Sequence, residues 1–269
     1  MTDSLPLWPA GRTPPGEPTP EAPDEQPRLT PYLLPGDQLR AMVVVCPGGG
    51  YHGRAAHEGE PIARWLNQIG LHAVVLDYRV KHRYPASLSD ARRAIQTVRA
   101  HAADWRIDPH RVGILGFSAG GHLAANATTD AIPGDPHATD PIERHSSRPN
   151  AAVLCYPVIS AGFSTHTESI NMLLGPQPWD ESARRRVSLE LLVNAQTPPC
   201  FIWHTSDDAV VPLANALCFA EALANAKVPC ELHVFPTGAH GLGLASTNPT
   251  VSQWTTLCAQ WFSDLGWRS

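Results

Sequence analysis

The sequence predicts an α/β fold, a mostly parallel sheet with helices on both faces. Three observations predict it. From residue 41 onward, apolar runs of four to six residues alternate with longer segments of helical spacing. The runs are rich in valine and almost continuously apolar, as strands covered on both faces must be. The chain has 269 residues, 43% of them hydrophobic, which suffices for one sizeable core.

The first 36 residues differ from the rest. They hold ten of the 27 prolines, and proline at that density prevents helices and cannot donate to a sheet ladder. Residues 1–36 are therefore expected to form an extended, partly disordered arm with a short strand near Leu29–Leu34. The arm is either a passive tail or a cover over the site or a partner subunit. Residues 37–269 read as a single domain. Ala41–Cys46 is its first buried strand, and a glycine turn follows. Pro61–Gly70 has helical spacing through Ile62, Trp65, Leu66 and Ile69. A strand at His72–Leu76 precedes a helix at Leu88–Ala103, and a strand at Arg111–Leu115 precedes a helix at Ala119–Thr128. Ala151–Cys155 is a further strand. Residues 157–199 form a long insertion with a helix near Ser182–Val193, and with the polar stretch 130–150 it is expected to shape a pocket. Cys200–His204 (strand), Leu213–Ala226 (helix), Glu231–Phe235 (strand) and Pro249–Leu265 (helix) complete the pattern. No internal repeat is visible.

Composition excludes several functions. Charged residues are 17% and the mean hydropathy is −0.18, which argues against disorder through most of the chain. No apolar run reaches the roughly 18 residues of a membrane span. The net charge is −5, from 20 basic and 25 acidic residues. Residues 1–37 carry −4 of it, with six acids and two arginines, so the body is near neutral. No basic patch suggests a nucleic-acid partner. The six cysteines include no C-x-x-C pair and are expected to be reduced, buried core thiols. The N-terminus lacks a basic region followed by an apolar core, so no secretory signal is read and a cytoplasmic location is expected. No histidine–carboxylate cluster has metal-ligand spacing, so neither a metal nor a cofactor is expected.

In parallel α/β sheets, ligand sites form beyond the carboxyl ends of the strands. After the strand at Arg111–Leu115 the chain reads GFSAGG, which contains Gly116-x-Ser118-x-Gly120. This is a nucleophile-elbow pattern. A sharp strand-to-helix turn pushes the serine oxygen out of the sheet, and small flanking residues are needed to avoid a clash. The turn also aims the amino end of the next helix at the site, which favours developing negative charge. After Cys200–His204 comes TSDDAVVP, where Asp208 is preferred over Asp207 as the acid that orients a histidine. Asp207 is then a turn or capping residue. After the last strand, His240 stands in PTGAHGLG and alone among the 13 histidines sits between small residues on that loop. Ser118, Asp208 and His240 occur in the chain order Ser…Asp…His.

After the first strand comes PGGGYHG. A tetrahedral intermediate needs preorganised N–H donors. The backbone of Ala119 is expected to supply one, and Gly49, Gly50 or Tyr51 the other. The loop lacks the spacing of a phosphate cradle. His57 and Glu58, just before the first full helix, and Trp179 and Met172, in the long insertion, are candidate substrate contacts. Glu60 reads as a helix-start charge. His122 is expected to pack beneath the site, and Arg79 to pair with a buried carboxylate such as Asp90.

At this point the sequence resembles a known group, the acetylxylan-esterase-like α/β-hydrolases, an esterase/lipase family that includes xylanase-associated proteins. The matching motifs are CPGGGYHG, HEGEPIARWLN, DYRV, GFSAGGHLAA, LCYPVI, DDAVVP and GAHGLGL, all within residues 42–244. The opening SLPLWPAG and the segment with Trp254 and Trp261 also fit, so the likeness covers nearly the whole chain. The resemblance implies an α/β-hydrolase fold, a nucleophile, acid and base at Ser118, Asp208 and His240, and an oxyanion loop at Gly48–Tyr51. It implies hydrolysis of ester bonds, often acetyl groups on xylan-derived sugars. Two departures stand out. Pro47 occupies the place of the histidine in the HGGG motif of hormone-sensitive-lipase-like enzymes, and the stretch Asp130–Asn150 is longer than the family pattern. The expected activity is that of a serine carboxylic-ester hydrolase with a preference for short acyl groups, acting without a cofactor on a small ester or an acetylated oligosaccharide. An amide hydrolase with the same triad, peptidase- or formamidase-like, is the alternative. A non-catalytic ligand-binding member of the fold is the rival from another class.

Overall fold

The computed structural model describes residues 4–12, 14–23, 26–162 and 164–268. Its centre is an eight-stranded sheet. In chain order the strands are β1 (Leu5–Pro6), β2 (Arg28–Tyr32), β3 (Arg40–Cys46), β4 (His72–Asp77), β5 (Ile107–Phe117), β6 (Ala151–Cys155), β7 (Cys200–Thr205) and β8 (Cys230–Phe235). Their order across the sheet is β1-β2-β4-β3-β5-β6-β7-β8. The pairs β1·β2 and β2·β4 are antiparallel, and all others are parallel.

The seven helices described are α1 (Glu60–Gln68), α2 (Ala86–Ala100), α3 (Ser118–Thr129), α4 (Thr167–Leu174), α5 (Glu181–Arg186), α6 (Ala214–Asn225) and α7 (Trp254–Asp264). They lie on both faces, because successive side chains of a strand point to opposite sides. Met42, Val44 and Cys46 of β3 face a core shared with Leu88 and Ile95 of α2, Leu123 of α3 and Phe219 of α6. Val43 and Val45 face a second core with Ile62 and Leu66 of α1 and Trp254 and Trp261 of α7. Trp254 stacks on Trp203 of β7 at 5.3 Å and tilts against Trp65 of α1 at 5.0 Å. The mostly parallel sheet with helices on both faces is what the alternation predicts, and its arrangement is the α/β-hydrolase fold that the resemblance implies.

Several local expectations are corrected. The proline-rich arm feeds β1 and β2 into the sheet, and the strand near Leu29–Leu34 is placed at Arg28–Tyr32. Leu7, Trp8 and Leu29 of the arm are buried, and Trp8 Nε1 donates 2.8 Å to Asp90. Asp90 is also the ion-pair partner of Arg79, as expected. Strand β5 starts at Ile107, earlier than Arg111, because Arg40 pairs with Ile107 before a register shift that the polar Asp-Pro-His stretch conceals. The expected helix at Ser182–Val193 breaks into α5 and a short 3-10 turn at Leu189–Leu191. The break is tertiary: Leu189 N–H donates to Ile159 C=O, and Ser188 Oγ accepts from Ala161 N–H. Helix α4, capped by His166 and ended by Gly175 at φ 92°, is an addition within the insertion that no local pattern announces. The closing helix begins at Trp254, behind a 3-10 turn at Val251–Gln253. The cysteines are free, but Cys230 is exposed and Cys218 half-buried. Cys230 opens β8, the edge strand, where one side of the chain meets solvent.

Candidate active site

The parallel strands end in register. Cys46 of β3 lies beside Gly116, Phe117 of β5 beside Cys155 of β6, and Cys155 beside Trp203 of β7. Thr205 of β7 in turn lies beside Phe235 of β8. The segments that follow these ends carry the glycine loop, Ser118, Tyr156, Asp208 and His240.

Ser118 opens α3 at φ 52°, a left-handed conformation that costs a non-glycine residue about 1–3 kcal/mol. The turn is possible because its flanks have no side chains. A Cβ on Gly116 would lie 2.0 Å from the Gly120 oxygen, and one on Gly120 would lie 2.1 Å from the Cys46 oxygen. Ser118 Oγ is 2.8 Å from His240 Nε2, and His240 Nδ1 is 2.7 Å from Asp208 Oδ2. A carboxylate only accepts, so Nδ1 carries the proton and Nε2 is left to accept from the serine hydroxyl. The three groups form one hydrogen-bonded line.

Asp207 and Asp208 are separated by geometry. Asp208 Oδ1 accepts from the backbone of Val210 and Val211, both at 2.9 Å. His204, buried at the end of β7, brings its Nε2 to 3.4 Å from Asp208 Oδ2. Burial would raise the Asp208 pKa, but hydrogen bonds from His204, His240, Val211 and Val210 outweigh it and hold the carboxyl well below its ordinary value. The acid is ionised wherever His240 needs an anion. Asp207 faces the other way and accepts from Gly238 N–H at 2.7 Å, which pins the start of the His240 loop.

The glycine loop turns on Gly49, whose carbonyl accepts from His52 and Gly53. Gly49, Gly50 and Tyr51 all have positive φ, at 128°, 63° and 61°. A Cβ on Gly49 would strike the Gly53 oxygen at 2.4 Å, so glycine is required there. Gly48 N–H is spent on Glu58 Oε2 at 2.7 Å. Ala119 N–H lies in the first turn of α3, where backbone donors have no partner within the helix. The Tyr51 ring is buried, and its hydroxyl meets His122 Nδ1 at 2.8 Å. His122 Nε2 donates to Val187 C=O at 3.0 Å, so Nδ1 is the acceptor and Tyr51 donates. Burial pushes the His122 pKa down to about 4, which keeps the ring neutral. His122 packs beneath the site, as expected, and holds the tyrosine of the glycine loop.

The candidate substrate contacts fare differently. Glu58 is a correction: it is 2% exposed, and its oxygens accept from Gly48 N–H and from Tyr156 O–H at 2.6 Å. So buried, the carboxylate has almost no surface to offer a ligand. His57 is exposed and donates from Nε2 to Gly241 C=O at 2.8 Å. Trp179 donates to Gly175 C=O and lines a 320 Å³ cleft with Thr165, Thr167 and Arg184. Met172 packs partly buried against the core.

Sequence reasoning missed Tyr156, His166 and Ser169. Tyr156 follows β6, has φ 37°, and sets its ring edge-on to His240 at 5.0 Å. His166 caps α4 through Ser169, and Ser169 Oγ lies 3.9 Å from the place a Gly50 Cβ would take. Tyr156 was within reach, since it is the first residue after an apolar parallel strand. His166 and Ser169 depend on where the insertion folds back, which no local pattern encodes.

Fold and site together define the class, an α/β-hydrolase with a serine–histidine–aspartate line. The chain belongs to the BD-FAE family, whose model matches residues 34–223. It is 40% identical over 230 residues to endo-1,4-beta-xylanase B of Butyrivibrio fibrisolvens, covering 82% of this chain and 35% of that protein. It is 33% identical to the acetylxylan esterase of Xylanibacter ruminicola, covering 87% of this chain and 46% of the other. The chain thus spans less than half the length of these two curated relatives. The crystal structure of the acetyl ester-xyloside bifunctional hydrolase of Caldicellulosiruptor lactoaceticus superposes with a TM-score of 0.95 at 47% identity, covering 99% of this chain and 97% of that one. The proteins similar to this chain include ones named as esterases and as a probable carboxylic ester hydrolase. No described helix is long and apolar enough to cross a membrane.

Proposed function

We propose that this chain is a serine carboxylic-ester hydrolase acting on short-chain acyl esters, acetyl above all, including acetylated xylo-oligosaccharides. The observation that carries the reading is the line Ser118 Oγ–His240 Nε2–Asp208 Oδ2, at 2.8 and 2.7 Å, on a strained elbow beside a glycine loop. Ser118 Oγ attacks the ester carbonyl as His240 Nε2 takes its proton. Asp208 holds the imidazole and stabilises its cationic form. The oxyanion meets the N–H of Ala119 and those of Gly49, Gly50 or Tyr51; Gly48 is already committed to Glu58. His240 then protonates the leaving alcohol. Water, deprotonated by His240, attacks the acyl-enzyme and releases the acid, which regenerates Ser118. No step requires a cofactor. The acetyl and sugar part of the reading is supported by the names of the relatives. Trp179, Thr165 and Thr167 are candidates to receive the sugar.

The test is hydrolysis of p-nitrophenyl acetate, butyrate and octanoate, then of acetylated xylo-oligosaccharides, by wild type and Ser118→Ala. Loss of the serine should cost on the order of 10^6 in kcat. An optimum at eight or more carbons would overturn the short-acyl reading. Inert wild type on every ester, with turnover of amides, would favour the amide hydrolase instead.

A further inference from the structure

Glu58 is a buried carboxylate that the proposed chemistry leaves unused. Removing a carboxylate from water is costly unless its oxygens are well paired. Here they are paired with two donors from two different parts of the site. Oε2 accepts from Gly48 N–H, in the glycine loop, at 2.7 Å. Oε1 accepts from Tyr156 O–H at 2.6 Å, and the Tyr156 oxygen in turn accepts from Gly243 N–H at 2.9 Å. Gly243 lies three residues beyond His240. The neighbouring His57 holds Gly241 C=O at 2.8 Å, and Trp254 Nε1 holds Gly243 C=O at 3.1 Å. The approach is close: a Cβ on Gly48 would stand 2.7 Å from Glu58 Oε2.

We propose that Glu58 is a positioning residue whose carboxylate clamps the oxyanion loop to the His240 loop, with Tyr156 as the bridge. The proposal rests on the serine-hydrolase reading of the site. The donor inventory explains why a carboxylate is needed. Gly48 N–H and Tyr156 O–H both donate, and an ionised acid is the side chain of this size that presents two acceptors and no donor. A glutamine can satisfy one of the two and must turn its amide N–H toward the other. The clamp fixes the distance between the donors that receive the oxyanion and the imidazole that moves the proton. Those two must be held together within a fraction of an ångström for the transition state, though not for binding the ester.

The experiment compares Glu58→Gln, Tyr156→Phe, the double variant and Ser118→Ala on p-nitrophenyl acetate, each first shown to be folded by circular dichroism. The clamp predicts that each single variant loses about 10^2 in kcat with KM nearly unchanged. It predicts that the double variant loses little more than the worse single, since both break one connection. A folded Glu58→Gln or Tyr156→Phe with wild-type kcat overturns it, as do losses that multiply. Should Glu58→Gln not fold, Tyr156→Phe alone decides by the same criterion. Near-wild-type turnover by Ser118→Ala sinks the serine-hydrolase reading itself; a Ser118→Ala reduced on the order of 10^6 beside a fully active Glu58→Gln sinks only the clamp.

Discussion

Two adjacent acids on the loop after β7 have opposite orientations, and that difference is testable. Asp208 faces His240, so Asp208→Asn should lower kcat by about 10^4 by favouring the wrong imidazole tautomer. Asp207 accepts from the Gly238 N–H and not from His240, so Asp207→Asn should cost far less, a comparison that steady-state kinetics resolves. Equal losses would remove the distinction between them. Glycines make a similar contrast. Gly120→Ala puts a methyl group 2.1 Å from the Cys46 oxygen and should destabilise by about 3 kcal/mol or more. Gly53→Ala meets nothing within 4 Å and should stay within about 0.5 kcal/mol of wild type in urea unfolding.

Helix α7 shows how an element secures the site from behind. Trp254 is fully buried, stacks on Trp203, and donates to Gly243 in the His240 loop. Trp254→Ala should cost about 3–5 kcal/mol, read from the urea midpoint, and should lower kcat as well because the loop loses a support. The arm and the sheet are joined in the same way. Trp8→Phe removes the 2.8 Å bond to Asp90, a buried partner, and should cost about 1–3 kcal/mol. A neutral Trp8→Phe would mean that the arm contributes packing alone. Most elements were legible because buried parallel strands announce themselves as apolar runs. The breaks were not. Leu189 leaves its helix for a carbonyl of the β6 loop, and α4 forms where His166 can cap it; both depend on distant partners.

At the scale of the whole molecule, two of the buried histidines, His72 and His122, set an acid limit. Burial pushes His72 and His122 down from 6.5 to about 4. Between those values the unfolded chain binds more protons than the folded one, so stability is full above pH 6.5 and falls as pH drops toward 4. Each group contributes at most about 1.4 kcal/mol per pH unit in that window. The urea midpoint should therefore fall steadily from about pH 6.5 to about 4.5, and His72→Gln should make the slope shallower. A flat midpoint across that range would contradict the burial of both rings. Asp208 acts in a lower window. Its depressed pKa adds stability above the ordinary carboxylate value, and that share is lost only as pH falls below it.

The fold class and the chemistry of the serine–histidine–aspartate line are written locally along the chain. Apolar runs need burial on both faces, which forces a parallel sheet covered by helices. Ser118, Asp208 and His240 each lie just beyond a strand, and parallel strands bring all their carboxyl ends to one edge. The few residues at each strand's exit therefore already describe the site. Packing between elements had to choose which of two aspartates turns toward His240 and what Glu58 does. The HEGE segment places a carboxylate near the glycine loop in any reading. Whether it meets solvent, substrate or protein depends on Tyr156 and Gly243, which come from other strands' loops. A side chain's partners across a packed site are fixed by how separate elements meet, and no pattern within one element carries that.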